Sequence, residues 1–442
     1  MPVTHTYHAQ YVCLAGGVAR DVLIEVADGR FATVTPGVAE PPPGATRLPG
    51  LTMPGLANAH SHAFHRALRG RTHAGKGTFW TWRNGMYALA ERLDPDSYLA
   101  LAAATYAEMA MAGVTAVGEF HYLHHDAGGA RYADPNEMSA SLVEAAARAG
   151  VRITLLDACY LTSTVEGGAL SGPQQRFGDG SAEAWAERIE AFKPQAPHAT
   201  VGAAIHSVRA VPADQIPTVV EWATGRAAPL HVHLSEQRAE NAACVAYLRR
   251  TPTEVLADAG ALGARTTAIH ATHLTDTDRA EVGDTGTGAC FCPTTERDLA
   301  DGIGPARALV DAGSPLSLGS DSHAVIDLFE EARAVELDER LRSERRGHFA
   351  AAELLHAASA AGQAALGWSD AGVIAAGTRA DLVTVRLDSV RTAGVDPAAV
   401  VFAATAADVA HVVVDGRVVV RDGRHVSTDV PRALADAIGA LT

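Results

Sequence analysis

The chain of 442 residues is almost without lysine: Lys76 and Lys193 are its only two, and arginine carries nearly all the positive charge. Acidic residues outnumber basic ones, 51 against 36, giving a formal net charge of -15. That balance excludes nucleic acid and anionic membrane surfaces as main partners, since both are polyanions. A local positive pocket is still allowed. The cysteines are few and odd in number (Cys13, Cys159, Cys244, Cys290 and Cys292), which fits reduced thiols and a cytoplasmic location rather than a disulfide framework. No uninterrupted apolar run reaches membrane-spanning length. The nearest, residues 98–118, is alanine-rich, broken by Glu108 and Gly113, and reads as a buried helix running into a strand. The opening Met1-Pro2-Val3-Thr4-His5 lacks the basic-then-apolar pattern of a secretory signal. A glycine-rich phosphate turn after the first strand is also missing, which counts against a doubly wound open sheet.

What is present points to one large domain with an appendage. A hydrophobic share of 48% beside 20% charged residues is that of a soluble globular protein with a large core. Both ends of the chain look all-β. Val22-Leu23-Ile24-Glu25-Val26, the turn pair Asp28-Gly29 and Phe31-Ala32-Thr33-Val34 predict a hairpin. Pro41-Pro42-Pro43-Gly44 then breaks regular structure. Asp381-Leu382-Val383-Thr384-Val385 and the valine-rich run 412–420 repeat that style near the C-terminus. We expect one small β domain assembled from residues 1–52 and 371–442.

Between these ends, strand-like segments at 51–59, 114–122, 151–160, 201–207, 230–234, 267–270, 288–292 and 316–319 alternate with alanine-rich helical stretches such as 182–192 and 324–341. Eight strands alternating with helices predict an α/β fold, a (β/α)8 TIM-like barrel over residues 53–370.

In such a barrel the reactive groups sit at the C-terminal ends of the strands. The distribution of histidines and carboxylates obeys that rule. His60 and His62 end the first candidate strand, His206 and Arg209 the fourth, His233 and Glu236 the fifth, His270 the sixth and Asp321 the eighth. Residues two apart on a strand share a side, so His60 and His62 can face one ion. His60, His62, His233 and Asp321 form a donor set of borderline softness that suits Zn²⁺, with Fe²⁺ or Mn²⁺ as alternatives. His231 has the same parity as His233 but lies deeper in the strand, and His273 rivals His270 from the following loop. Cys290 and Cys292 read as core. His121, His124 and His125 read as solvated loop histidines.

The motifs allow a resemblance to be stated. Met53-Pro54-Gly55-Leu56-Ala57-Asn58-Ala59-His60-Ser61-His62, His233-Leu234-Ser235-Glu236, Gly319-Ser320-Asp321 and the closing Gly377-Thr378-Arg379-Ala380-Asp381-Leu382-Val383 resemble the amidohydrolase superfamily. Phe79-Trp80-Thr81-Trp82-Arg83, the run Glu119-Phe120-His121-Tyr122-Leu123-His124-His125, His206-Ser207-Val208-Arg209-Ala210-Val211 and Cys292-Pro293-Thr294-Thr295-Glu296 resemble its formiminoglutamate deiminases. The resemblance spans nearly the whole chain. It departs at His65, where those enzymes usually have Gln, and at Asp298-Leu299-Ala300-Asp301-Gly302, where they usually read Asn-Leu-Gly-Asp-Gly.

The resemblance implies metal-dependent hydrolysis of N-formimino-L-glutamate to N-formyl-L-glutamate and ammonia, a step of histidine degradation, in a homodimer. It implies catalytic roles for Glu236, His270 and Asp321. Arg209 and Arg83 would clamp the substrate carboxylates, with Tyr122, His206 and His65 as further contacts and Arg83 placed in a long aromatic loop. Binuclear relatives bridge their ions with a lysine after the fourth strand; Ile205-His206-Ser207-Val208-Arg209 offers none, so one ion is expected. The alternative activity is an aminohydrolase of the same superfamily acting on a nucleobase or triazine-like heterocycle.

Overall fold

The computed structural model describes residues 5–72 and 79–441; Lys76 and the first four residues lie outside them, as do the side chains of Phe79 and Trp80. Strands β1 (His5–Leu14), β2 (Gly17–Ala27) and β3 (Arg30–Thr35) form an antiparallel meander. The turn between β2 and β3 places Asp28 and Gly29 at φ 48° and 75°, the left-handed pair that a two-residue hairpin requires. Strand β4 (Thr46–Pro54) then returns to lie parallel to β1.

The chain bends at Gly55 and enters a second sheet. Its strands are β5 (Leu56–Ser61), β6 (Val114–His121), β7 (Arg152–Cys159), β8 (Ala199–Ile205), β9 (Leu230–Leu234), β10 (Thr266–His270), β11 (Gly288–Phe291) and β12 (Leu316–Leu318). All eight are parallel and pair in chain order. Every residue of β6 and β7 is buried, as expected of parallel strands covered on both faces. Strands β13 (Leu382–Val385), β14 (Val409–Val414), β15 (Arg417–Arg421) and β16 (Arg424–His425) complete the first sheet, whose order is β16-β15-β14-β13-β4-β1-β2-β3. The two ends of the chain therefore share one sheet, and the middle forms a (β/α)8 barrel.

A parallel bridge between Ser61 and Asp321 closes the barrel. The Asp321 N–H donates to the His60 carbonyl at 3.0 Å, and the His62 N–H donates to the Asp321 carbonyl at 3.2 Å. Glycine is needed at this seam: a Cβ on Gly319 would stand 2.7 Å from His60 Cβ and 2.8 Å from the His60 carbonyl oxygen.

Two elements differ from expectation. The predicted first barrel strand, 51–59, is divided: residues up to Pro54 pair with β13 in the small sheet, and only Leu56 onward belongs to the barrel. The helix expected over 324–341 is Leu328–Ser343, because Asp327 caps it by accepting from the Phe329 and Glu330 N–H groups. Residues 98–118 are a helix, Pro95–Met111, followed by β6, as the sequence suggested. Among the described residues, no helix is long and apolar enough to cross a membrane.

Candidate active site

The upper ends of the barrel strands converge on a cluster of imidazoles and carboxylates. His60 Nε2 and His62 Nε2 each stand 3.4 Å from Asp321 Oδ1. His233 Nε2 lies 3.2 Å from His60 Nε2. Two contacts fix ring orientation: His62 Nδ1 donates to the Phe120 carbonyl at 2.9 Å, and His233 Nδ1 donates to the His206 carbonyl at 2.8 Å. Both rings therefore turn bare Nε2 lone pairs toward the centre. Burial holds His60, His62 and His233 below the ordinary histidine range.

This geometry fits a divalent cation. Donor atoms around a tetrahedral ion at about 2.0–2.1 Å stand about 3.4 Å apart, close to the separations of 3.2 to 3.4 Å found here. A cation between His60 and His233 would take a lone pair from each Nε2. His60, His62 and Asp321 offer ligand atoms within 4.8 Å of one another, as do His60, His233 and His270.

Backbone conformation at the strand ends is unusual. Ser235, His270, Asp321 and His323 all have positive φ, at 52°, 68°, 43° and 58°. Such angles cost non-glycine residues of order 1 kcal/mol or more each, and they concentrate where side chains must be aimed. A hydrogen-bonded network holds the seam beneath them. Asn58 donates to Ser320 Oγ and accepts from the Ser320 N–H, at 2.7 and 2.9 Å. Glu119 accepts from Ser61 Oγ and from the Ala63 N–H, both at 2.7 Å.

His270 faces the cluster from β10, its Nε2 3.8 Å from Asp321 Oδ2 and its Nδ1 3.2 Å from Glu296 Oε1. Burial opposes charge on His270, yet Glu236, Glu296 and Asp321 together push it well above the ordinary range. Burial raises Glu236 above the usual carboxylate value, with His270 and Arg209 pulling the other way. Burial alone would raise Asp321 too, but the hydrogen bond and charge of His60, with His270 and His62 behind, hold it well below.

One cavity joins this cluster to the basic residues: Glu236, His270 and Asp321 line it, and so do Arg83, Arg209 and His206. Arg83 Nε donates to the Tyr87 hydroxyl at 2.7 Å, and Arg209 Nη1 to the Tyr160 hydroxyl at 2.9 Å. Tyr87, Tyr160 and Tyr122 all pack on Phe177. His65 is buried, its Nε2 2.9 Å from the Tyr122 hydroxyl, and burial drives its imidazole down to about 3. His65 thus lies in the cavity wall as a neutral ring.

Several expectations are corrected. Arg83 is not in a loop; it belongs to the helix Phe79–Ala90. His121, His124 and His125 are buried, not solvated. His124 Nε2 donates to the Ala158 carbonyl at 2.9 Å, and His125 Nε2 meets Asp179 at 3.1 Å. His121 and His124 approach Asp157, but Arg188 already holds that carboxylate at 2.8 and 2.9 Å. His231, inward by parity, is bonded to the Ala365 carbonyl at 3.0 Å. Cys290 is core, with Ala59 and Ile269; Cys292 shares that core and also approaches His270 and Asp321.

Sequence reasoning passed over Glu296, Glu119, Tyr87 and Tyr160. Glu296 and Glu119 lay inside quoted motifs, but a carboxylate that buttresses an imidazole or a loop has no spacing signature. The tyrosines carried no local signal at all.

With this site on a closed parallel barrel, the comparison with known proteins is direct. Residues 51–419 match the amidohydrolase family, and the chain belongs to that family. It is 38% identical to formimidoylglutamate deiminase from Pseudomonas aeruginosa, over 98% of each chain. An amidohydrolase from Brucella melitensis superposes with a TM-score of 0.90 at 34% identity, covering 99% of this chain and 100% of that one. An adenosine deaminase from Xanthomonas campestris, solved with bound zinc, has the same fold: TM-score 0.84, 24% identity, 99% and 97% coverage.

Proposed function

We propose that this protein hydrolyses N-formimino-L-glutamate to N-formyl-L-glutamate and ammonia, using one divalent cation, Zn²⁺ by preference, held by His60, His62, His233 and Asp321. The observation that carries this reading is the composition of one cavity. It is lined by Glu236, His270 and Asp321 and also by two guanidinium groups, Arg83 and Arg209. Two guanidiniums lining one pocket suit a substrate with two carboxylates, which each can bind in a planar bidentate fashion, better than a neutral heterocycle, which offers them no anionic group. The full-length likeness to formimidoylglutamate deiminase supports the same substrate.

The bound cation supplies the Lewis acidity that makes water a competent nucleophile near neutral pH. The rest is the work of side chains. Asp321 takes a proton from the attacking water as its oxygen adds to the formimino carbon. Glu236, raised by burial, gives its proton to the imino nitrogen and then takes the proton of the new hydroxyl as the carbonyl forms. The proton held by Asp321 passes to the amine, so that the carbon–nitrogen bond breaks with release of ammonia and both carboxyl groups return to their starting states. His270, anchored through Nδ1 on Glu296, directs Nε2 at the oxygen where negative charge gathers. Arg209 and Arg83 hold the carboxylates, with His206, Tyr122 and His65 shaping the wall around the chain of the substrate.

A cytoplasmic homodimer completes the proposal; the five cysteines are all free, in keeping with a reducing compartment. Ammonia release measured on N-formimino-L-glutamate, guanidino acids, nucleobases and triazines tests the substrate. Turnover of the formimino acid far above the rest is expected; preference for a neutral heterocycle would overturn the reading.

A further inference from the structure

Arg209 enters the cavity from the loop after β8 with two of its three nitrogens engaged. Its Nη1 donates to the Tyr160 hydroxyl at 2.9 Å, and its Nε stands 3.4 Å from Glu240 Oε2. The guanidinium carbon lies 5.6 Å from the centre of the Tyr160 ring. Glu240 belongs to the first turn of the helix Arg238–Leu248 and is not part of the cavity lining, so it backs Arg209 from behind.

That helix follows directly on Glu236. Two carboxyl groups, one just before the helix and one in its first turn, thus bear on the same guanidinium: both Glu236 and Glu240 interact with Arg209 electrostatically. Were Glu240 absent, Glu236 would be left as a counter-charge for Arg209. A guanidinium turned toward Glu236 is withdrawn from the substrate tail. It also disfavours the protonated Glu236 that the reaction needs.

We propose that Glu240 is a positioning residue that sets substrate specificity: it pins the Nε edge of Arg209, so that Nη2 faces a substrate carboxylate. This inference rests on Arg209 being the carboxylate clamp of the proposed function. Burial brings Glu240 up to about 7, against the opposing pull of Arg209.

The test uses two probes, N-formimino-L-glutamate and an N-alkylformamidine without carboxylates, and reads the ratio of their kcat/KM values. Glu240→Gln keeps the size and removes the charge. It is expected to lower that ratio tenfold or more, at unchanged metal content and melting temperature. In an Arg209→Met background the same substitution should change the ratio less than twofold. If both rates fall together and the ratio holds, Glu240 has a structural role and the proposal fails. Should Glu240→Gln not fold, Glu240→Asp carries the test: a threefold or greater fall supports the proposal, and an unchanged ratio overturns it. Wild-type protein inactive on formiminoglutamate would instead sink the functional reading itself.

Discussion

The main chain of Asp321 is bonded to the same strand end that its side chain meets: its N–H donates to the His60 carbonyl at 3.0 Å, and its Oδ1 stands 3.4 Å from His60 Nε2. One contact therefore closes the barrel and aligns two candidate ligands. Because closure depends on the close approach at Gly319, the register of β12 against β5 and the shape of the donor set are a single property of the fold.

Removing the guanidinium of Arg209 should cost substrate affinity before chemistry. Charge-assisted hydrogen bonds of this kind are worth about 2–3 kcal/mol. Arg209→Met is expected to lower kcat/KM for N-formimino-L-glutamate roughly a hundredfold, mostly through KM, with the metal content intact. Steady-state kinetics at saturating metal provide the check, and an unchanged KM would remove Arg209 from the substrate site.

The departure at Ala300 has a physical cost. Ala300 sits at φ 60°, a left-handed conformation that alanine adopts reluctantly and glycine freely. Ala300→Gly should stabilise the protein by about 0.5–1 kcal/mol, the relieved strain partly offset by the added freedom of the unfolded chain. Urea denaturation measures it; a loss of stability would contradict the account.

The closing motif around Asp381 is structural. Arg152, at the start of β7, donates to both oxygens of Asp381, and its Nη1 also meets Asp415 at 3.2 Å. The Asp381 carboxylate accepts the Asp415 N–H as well. This buried pair joins the barrel to the small sheet. Asp381→Ala leaves a buried guanidinium short of its main partner and should cost about 3–5 kcal/mol. A melting temperature within two or three degrees (roughly) of wild type would show the pair to be dispensable.

Acid should destabilise the protein partly through His124. Burial, with Arg188 adding to it, lowers His124 to about 4, whereas the unfolded chain titrates near 6.5. The unfolded state thus binds the extra proton first, and stability is lost as pH falls from 6.5 toward 4. Between pH 7 and pH 5 the loss from this one group is about 2 kcal/mol. His124→Gln should show a correspondingly smaller difference between denaturation curves at the two pH values. Identical pH dependence in both proteins would rule His124 out.

Much of this architecture was legible in the residues. Parallel barrel strands are buried on both faces, so they read as apolar runs, and 230–234 coincides with β9 residue for residue. Histidines and carboxylates at strand ends marked the cluster because side-chain alternation is local and reliable. Other features were hidden. The division at Gly55 was not readable, because β4 and β5 are both apolar and differ only in which sheet they join. The helix around Arg83 was masked by its aromatic residues, which favour loops and strands on propensity alone. The burial of His121, His124 and His125 depends on partners far along the chain, Asp179 and Arg188 among them. The bracing of Arg209 by Glu240 likewise appears only when β8 and the helix after β9 are brought together.

The most direct measurement is divalent metal content against activity. Protein purified without chelator should hold one equivalent per chain. Chelation should abolish ammonia release from N-formimino-L-glutamate, Zn²⁺ should restore it, and His233→Ala should lose the ion and the activity together. A metal-free protein turning over at the rate of the loaded one, or two tightly held equivalents per chain, would contradict the account.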